Sequence, residues 1–385
     1  MSQPISSAQK LPTVPSEITP EWLSSKLGHK IKSLKHTRSI WGTGSKLFYT
    51  ITYEDEDDNH PSRPTHICIK GVFDPTMLAS QPWTLPLAQR EADFFSHLAP
   101  DLLLADKNTP INFPQTWWAG TNNSQGISII DDLYTSGCTF PPELASYPLS
   151  TVLEGIDQLA ALHARYWGQS EATHPWISNT YDTALKFLCS PSTFNETVRD
   201  PDRPKLPTYL QDGERFNLAL DLYFSTRNPK FRTLLHGDTH IGNIFFSPSM
   251  SPSPSPSPEG KIGFLDWSAL HFGSCFHDVV YFVTAMMTVQ DRRKYEWEIL
   301  DRYLETLHQL GGPEFDRRDK QVMNEYRRSF MTGAIWLVCP FDLQSKERVG
   351  ELCKRAVAAF GDHGVLELIL GEHKGEDKEG SCVVL

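Results

Sequence analysis

Apolar residues recur with one period early in the chain and another beyond about residue 149. Residues 31–41, 46–54 and 65–72 are rich in β-branched and aromatic side chains, a composition that suits a pleated, half-buried surface. They predict three strands of an antiparallel meander, the first two joined by Gly42-Thr43-Gly44-Ser45. Ahead of them, Thr19-Pro20-Glu21 supplies a cap, a proline for the first turn and an early acid, and Gly28 supplies a stop, so a short helix leads in. Residues 87–98 carry apolar positions at helical spacing, and strand-like runs follow at 111–119 and 126–130. From Leu149 the period lengthens: Leu153, Ile156, Leu159, Ala160, Leu162, His163 and Tyr166 fall on one face of a helix. A sheet-rich part therefore precedes a helix-rich part.

The turn-rich passage after Asp131, with Gly137, Pro141 and Pro142, is the natural hinge. The expected division is a flexible segment at 1–18, a first lobe at 19–135, a second lobe at 136–370 and a flexible tail at 371–385. Residues 247–260 are a Ser-Pro low-complexity insertion that cannot bury a core, separating short strands at 243–246 and 261–265. The acidic run from Glu54 to Asn59 reads as a solvated hairpin loop. With 385 residues, two lobes are expected.

Charge and composition narrow the partners. The formal net charge is −11 and no block of Lys and Arg with interleaved aromatics occurs, so nucleic acid is not expected as a partner. The seven cysteines are scattered, without the close pairs of a zinc site or a disulfide framework, which fits a reducing compartment. Residues 1–15 are polar and hold no apolar signal core, and the most apolar run, 279–289, is too short to span a bilayer. No transmembrane segment and a cytoplasmic location are expected. The final Cys382-Val383-Val384-Leu385 fits a prenylation pattern, which would add weak membrane association.

The chemistry concentrates in His236-Gly237-Asp238-Thr239-His240-Ile241-Gly242-Asn243 and, past the insertion, Phe264-Leu265-Asp266. Phosphoryl transfer from ATP needs a carboxylate to orient the attacking hydroxyl and take its proton, plus an amide and a second carboxylate to hold Mg²⁺. Asp238, Asn243 and Asp266 are that set, each next to an apolar strand. His236, Asp238 and His240 also admit a metallohydrolase reading, in which they form part of a metal cluster.

His-x-Asp-x-x-x-x-Asn followed by an apolar strand ending in Asp is the signature of the protein-kinase-like fold, and its His-Gly-Asp form resembles the aminoglycoside phosphotransferase and choline kinase superfamily. The resemblance implies an α+β, bilobal protein-kinase-like fold with a small antiparallel-sheet N-lobe that binds nucleotide and a larger, mostly helical C-lobe. It makes Asp238 the catalytic base, Asn243 and Asp266 the metal ligands, and His236 and Asp278 structural supports of the catalytic loop. Lys70, at the end of His66-Ile67-Cys68-Ile69-Lys70, would reach the ATP phosphates, steadied by Glu91. Gly44 and Ser45 would belong to a loop covering the triphosphate through its backbone amides, and residues 129–133 would lie beside the adenine. The implied activity is ATP-dependent phosphorylation of a small-molecule hydroxyl. The alternative within this fold is non-kinase chemistry, a lyase or cyclisation step, or a scaffold. Two features depart from the pattern: Asp266 is followed by Trp267-Ser268 instead of a glycine two places on, and the Ser-Pro run lengthens the path from Asn243 to Asp266.

Overall fold

The computed structural model describes residues 10–55, 63–105, 111–142, 144–248 and 260–371. The Ser-Pro run from residue 249, the acidic run beyond Asp55 and the C-terminal Cys382 lie outside the described residues. The chain divides into two units, Met1–Phe140 with Phe245–Ala269, and Pro141–Ile244 with Leu270–Leu385.

The first unit is built on strands β1 (Ile31–Ile40), β2 (Ser45–Tyr53), β3 (His66–Gly71), β4 (Thr116–Asn122) and β5 (Gln125–Asp131) in the order β1-β2-β3-β5-β4. All the neighbouring pairs are antiparallel. Strand alternation sorts the residues by face. Leu47, Tyr49, Ile51, Ile67, Ile69, Ile127 and Ile129 form a core with Leu23 of α1 (Pro20–Leu27). The residues between them, Lys46, Phe48, Cys68 and Lys70, face the other way, with Lys46 paired to Lys70 and Phe48 to Cys68. Helix α1 begins and ends as its sequence dictates: Thr19 accepts the Trp22 amide and Gly28 stands at φ 73°. Helix α2 is Pro75–Ser80, and α3 (Thr84–Asp93) continues through a π-helical turn at Phe94–Leu98 into α4 (Ala99–Ala105).

Strand β4 begins at Thr116, later than the expected 111. Pro114 cannot donate to a ladder, and the preceding residues have another task. Asn112 accepts the Phe264 amide, and its side-chain amide donates to Ser247 Oγ and to the carbonyls of Lys261 and Ile262. These bonds tie in the β7 (Ile244–Ser247) and β8 (Lys261–Phe264) hairpin. Thr139 also bridges to Phe246. They explain why Phe245–Ala269, expected with the second lobe, groups with the first unit.

The second unit is mainly helical: α5 (Leu149–Arg165), α6 (Thr180–Leu188), α7 (Pro191–Thr197), α8 (Gly213–Ser225), α9 (Phe276–Met286), α10 (Val289–Gln309), α11 (Lys320–Ser329), α12 (Ala334–Val338) and α13 (Lys346–His363). Strands β6 (Arg232–Leu235) and β9 (His271–Ser274) pair antiparallel. Helix α9 is buried along its whole length, which accounts for its mostly apolar sequence; His277, Asp278 and Thr284 are its buried polar exceptions. Tyr326, Phe330 and Trp336 are buried in this unit. Among the described residues no helix is long and apolar enough to cross a membrane, and the six described cysteines are free.

Helix α3 lies so close to β5 that a Cβ added at Gly126 would stand 2.4 Å from the Ala88 carbonyl oxygen. A backbone atom cannot rotate aside, so the helix itself must shift. Gly126→Ala is expected to destabilise the protein by about 1–3 kcal/mol, read as a lower denaturant midpoint at unchanged slope. An unchanged midpoint would show that the approach is not a packing constraint.

Candidate active site

The residues singled out in the sequence fall into two groups, one within each unit. In the first unit, Lys70 near the end of β3 donates to Glu91 of α3 at 2.7 Å and stands 3.2 Å from the Asp266 carboxylate. Thr43, Gly44 and Ser268 line the same crevice. A Cβ at Gly44 would stand 3.4 Å from Lys70 Cε, so the loop lies beside the lysine side chain. Burial disfavours the charge on Lys70, but Asp266 and Glu91 outweigh it and hold the amine protonated well above the ordinary range. Burial likewise opposes the Asp266 carboxylate, yet Lys70 and Lys46 hold its pKa below the usual value. For Glu91 burial prevails and the carboxyl is raised.

Asp266 is the one non-glycine residue at positive φ among the described residues, at 60°. Such a conformation costs free energy and persists only where its surroundings over-determine it. Here Ser268 donates to Asp266 Oδ1 at 2.6 Å, Arg90 of α3 donates to the Ser268 carbonyl at 2.9 Å, and Trp267 stacks on Phe94 at 4.0 Å with the rings 4° apart. The Trp267-Ser268 departure is thus what fastens the turn.

Ser45 is fully buried and, by strand alternation, shares the core face with Leu47; its hydroxyl is without a hydrogen-bond partner. Lys46, one residue on, is the side chain on the Lys70 face. In the sequence, Lys46 stands two positions before Phe48 in an alternating strand, the spacing that places both on one face.

In the second unit a loop follows β6. Asp278, in the first turn of α9 and fully buried, accepts the amide of His236 at 2.7 Å on one oxygen and that of Gly237 at 2.9 Å on the other. His163 Nε2 stands 3.2 Å from the same carboxylate, and its Nδ1 lies 2.8 Å from the Tyr303 hydroxyl. His277 Nε2 donates to the Gly237 carbonyl at 3.1 Å, and burial lowers its pKa to about 3, so it is a neutral donor. Gly237, at φ 85°, makes the turn.

Beyond that turn, the Asp238 amide donates to His236 Nδ1 at 3.3 Å, and the Asn243 amide donates to both the Asp238 carbonyl at 2.9 Å and its Oδ2 at 3.0 Å. His240 Nδ1 accepts the Gly242 amide at 2.9 Å, leaving its Nε2 on the Asp238 side at 3.5 Å. Tyr281 of α9 has its phenol raised well above the ordinary range by burial and by Asp238.

His236 and His240 therefore spend Nδ1 on backbone amides. Among the described residues no group of three or more His, Cys, Asp or Glu side chains is arranged to hold a metal ion, so the metallohydrolase reading finds no cluster. His163, His277 and Tyr303 brace the loop, a role their sequence positions did not disclose.

Burial raises the pKa of Asp278, but the bond from His163 and the neighbouring histidines overcome it and depress the folded value. The stability it contributes is complete above the unfolded value of about 3.9 and is lost as pH falls from there toward the lower folded value. Asp278→Asn should cost about 2–4 kcal/mol near neutrality by leaving a buried amide donor unmatched. The gap between wild type and variant should narrow below about pH 4. Urea unfolding at pH 7 and at acid pH measures both, and a gap independent of pH would contradict the assignment.

The ecdysteroid kinase-like family model matches residues 45–311. No curated protein matches the chain. Among solved structures, a microcompartment-associated aminopropanol kinase is 14% identical with a TM-score of 0.48, covering 90% of this chain and 99% of its own. The choline kinase LicA from Streptococcus pneumoniae is 11% identical with a TM-score of 0.46 over 90% and 99%. The macrolide 2'-phosphotransferase MphH from Brachybacterium faecium is 14% identical with a TM-score of 0.44 over 88% and 95%. A family model spanning residues 45–311, together with the His-Gly-Asp loop and the Lys70–Glu91 pair, makes this chain a member of the ecdysteroid kinase-like family, within the aminoglycoside phosphotransferase and choline kinase superfamily.

Proposed function

We propose that the protein transfers the γ-phosphate of ATP to a hydroxyl of a small molecule. The observation that carries the reading is Lys70, a buried amine kept charged between Glu91 and Asp266 beneath a glycine loop. A buried cation held by two acids is costly to maintain, and a polyphosphate repays it through charge-assisted hydrogen bonds. Gly44 and Ser45 would serve through backbone amides, since the Ser45 side chain faces the core.

Mg²⁺ is normally held by one or two protein oxygens plus phosphates and water, and Asn243 and Asp266 have the right donor chemistry. When bound, the metal would neutralise charge developing on the transferred group. Asp238 orients the acceptor hydroxyl and takes up its proton. Asn243 fixes the Asp238 carboxylate through its amide, and the bonds that the His236 and Gly237 amides donate to Asp278 hold the loop that presents it.

Mg²⁺-dependent ATP turnover, screened with amino alcohols, aminoglycosides, sterols and sugars, tests the proposal. Asp238→Asn should lower kcat by on the order of 10²–10⁴ while retaining the thermal stabilisation given by Mg-ATP. A variant that turns over like wild type removes Asp238 from the mechanism. Absence of both turnover and nucleotide stabilisation in wild type would favour a non-kinase use of the fold.

A further inference from the structure

Lys46 is a half-buried lysine directly opposite Lys70 on the neighbouring strand. Residues paired in this way share a face of the sheet, with Cβ atoms about 5 Å apart. Like charges in such a pair repel, and here the usual remedy is missing. The acids of the crevice, Glu91 at 2.7 Å and Asp266 at 3.2 Å, both serve Lys70. Among the described residues Lys46 makes no hydrogen bond and no ion pair of its own. Burial first, and then Lys70, push its pKa below the ordinary lysine value, while Asp266 and Glu91 act on it only at longer range. A half-buried cation set against another without a partner breaks a local rule of sheet construction, and such breaks mark functional positions.

Resting on the nucleotide reading above, we propose that Lys46 is a second phosphate-binding cation. It acts beside Lys70 on the polyphosphate and favours nucleoside di- and triphosphates over the monophosphate. Two ammonium groups side by side on one sheet face match an anion whose charge is spread over successive groups. A single phosphate would be satisfied by Lys70 and the loop amides. The neighbouring Gly44 lies beside Lys70, with a Cβ built there 3.4 Å from Lys70 Cε.

The test is calorimetric titration of the full chain with ATP, ADP, AMP and adenosine in the presence of Mg²⁺, using wild type, Lys46→Met and Lys46→Arg, with melting temperatures recorded alongside. Lys46→Met should weaken ATP and ADP binding by on the order of tenfold, leave adenosine unchanged and flatten the salt dependence of ATP binding. Lys46→Arg should retain most of the affinity. The ligand-free Lys46→Met protein should melt no lower than wild type, because the substitution removes a repulsion. Unchanged ATP affinity in Lys46→Met, an equal loss for all four ligands, or a lowered ligand-free melting temperature would each overturn the role of Lys46 while leaving the nucleotide reading intact. A wild type that binds none of the four overturns both.

Discussion

The second unit's loop depends on one buried carboxylate. Asp278 has no access to solvent, so its charge is stable only because two amide donors, from His236 and Gly237, and His163 point at it. Each partner is in turn fixed: His163 by Tyr303, Gly237 by His277, and the loop beyond by Asn243. The result is a backbone with few alternatives. A polar network of this kind in a low-dielectric interior rigidifies what it touches, and here it touches the residues leading to Asp238.

The first unit reaches a comparable rigidity by other means. A single helix, α3, supplies Glu91 to Lys70 and Arg90 to the Ser268 carbonyl, and the π-helical turn after it supplies Phe94 to Trp267. Asp266 is consequently held in a backbone conformation that few residues other than glycine adopt. The closeness of α3 to the sheet at Gly126 sets where Glu91 stands, so the packing of one helix governs both acids that bracket Lys70.

Strand alternation then decides which neighbours take part. Ser45 and Lys46 are adjacent in sequence, but the pleat sends Ser45 to the core and Lys46 to the face of Lys70. The serine hydroxyl is enclosed without a partner, and the lysine gains proximity to three charged groups.

Much of this was legible in the amino-acid sequence. The period-2 runs, the Thr19 cap and Gly28 stop, the helical stripe after Leu149 and the His-Gly-Asp loop are local signals, read from neighbours a few residues apart. The pairing of Lys70 with Glu91 was legible through resemblance, since the sequence separation of 21 residues has no periodicity of its own. Other features were not legible. The late start of β4 follows from Asn112 bonding to a hairpin about 135 to 150 residues away, and the same bonds draw Phe245–Ala269 into the first unit. The roles of His163, Tyr303 and His277 arise from contacts across separate helices. Local propensity and pattern determined the elements and named the candidate site residues. The tertiary structure alone decided which charges meet and which are left unpaired, because burial and opposition depend on distance in space, which sequence separation does not encode.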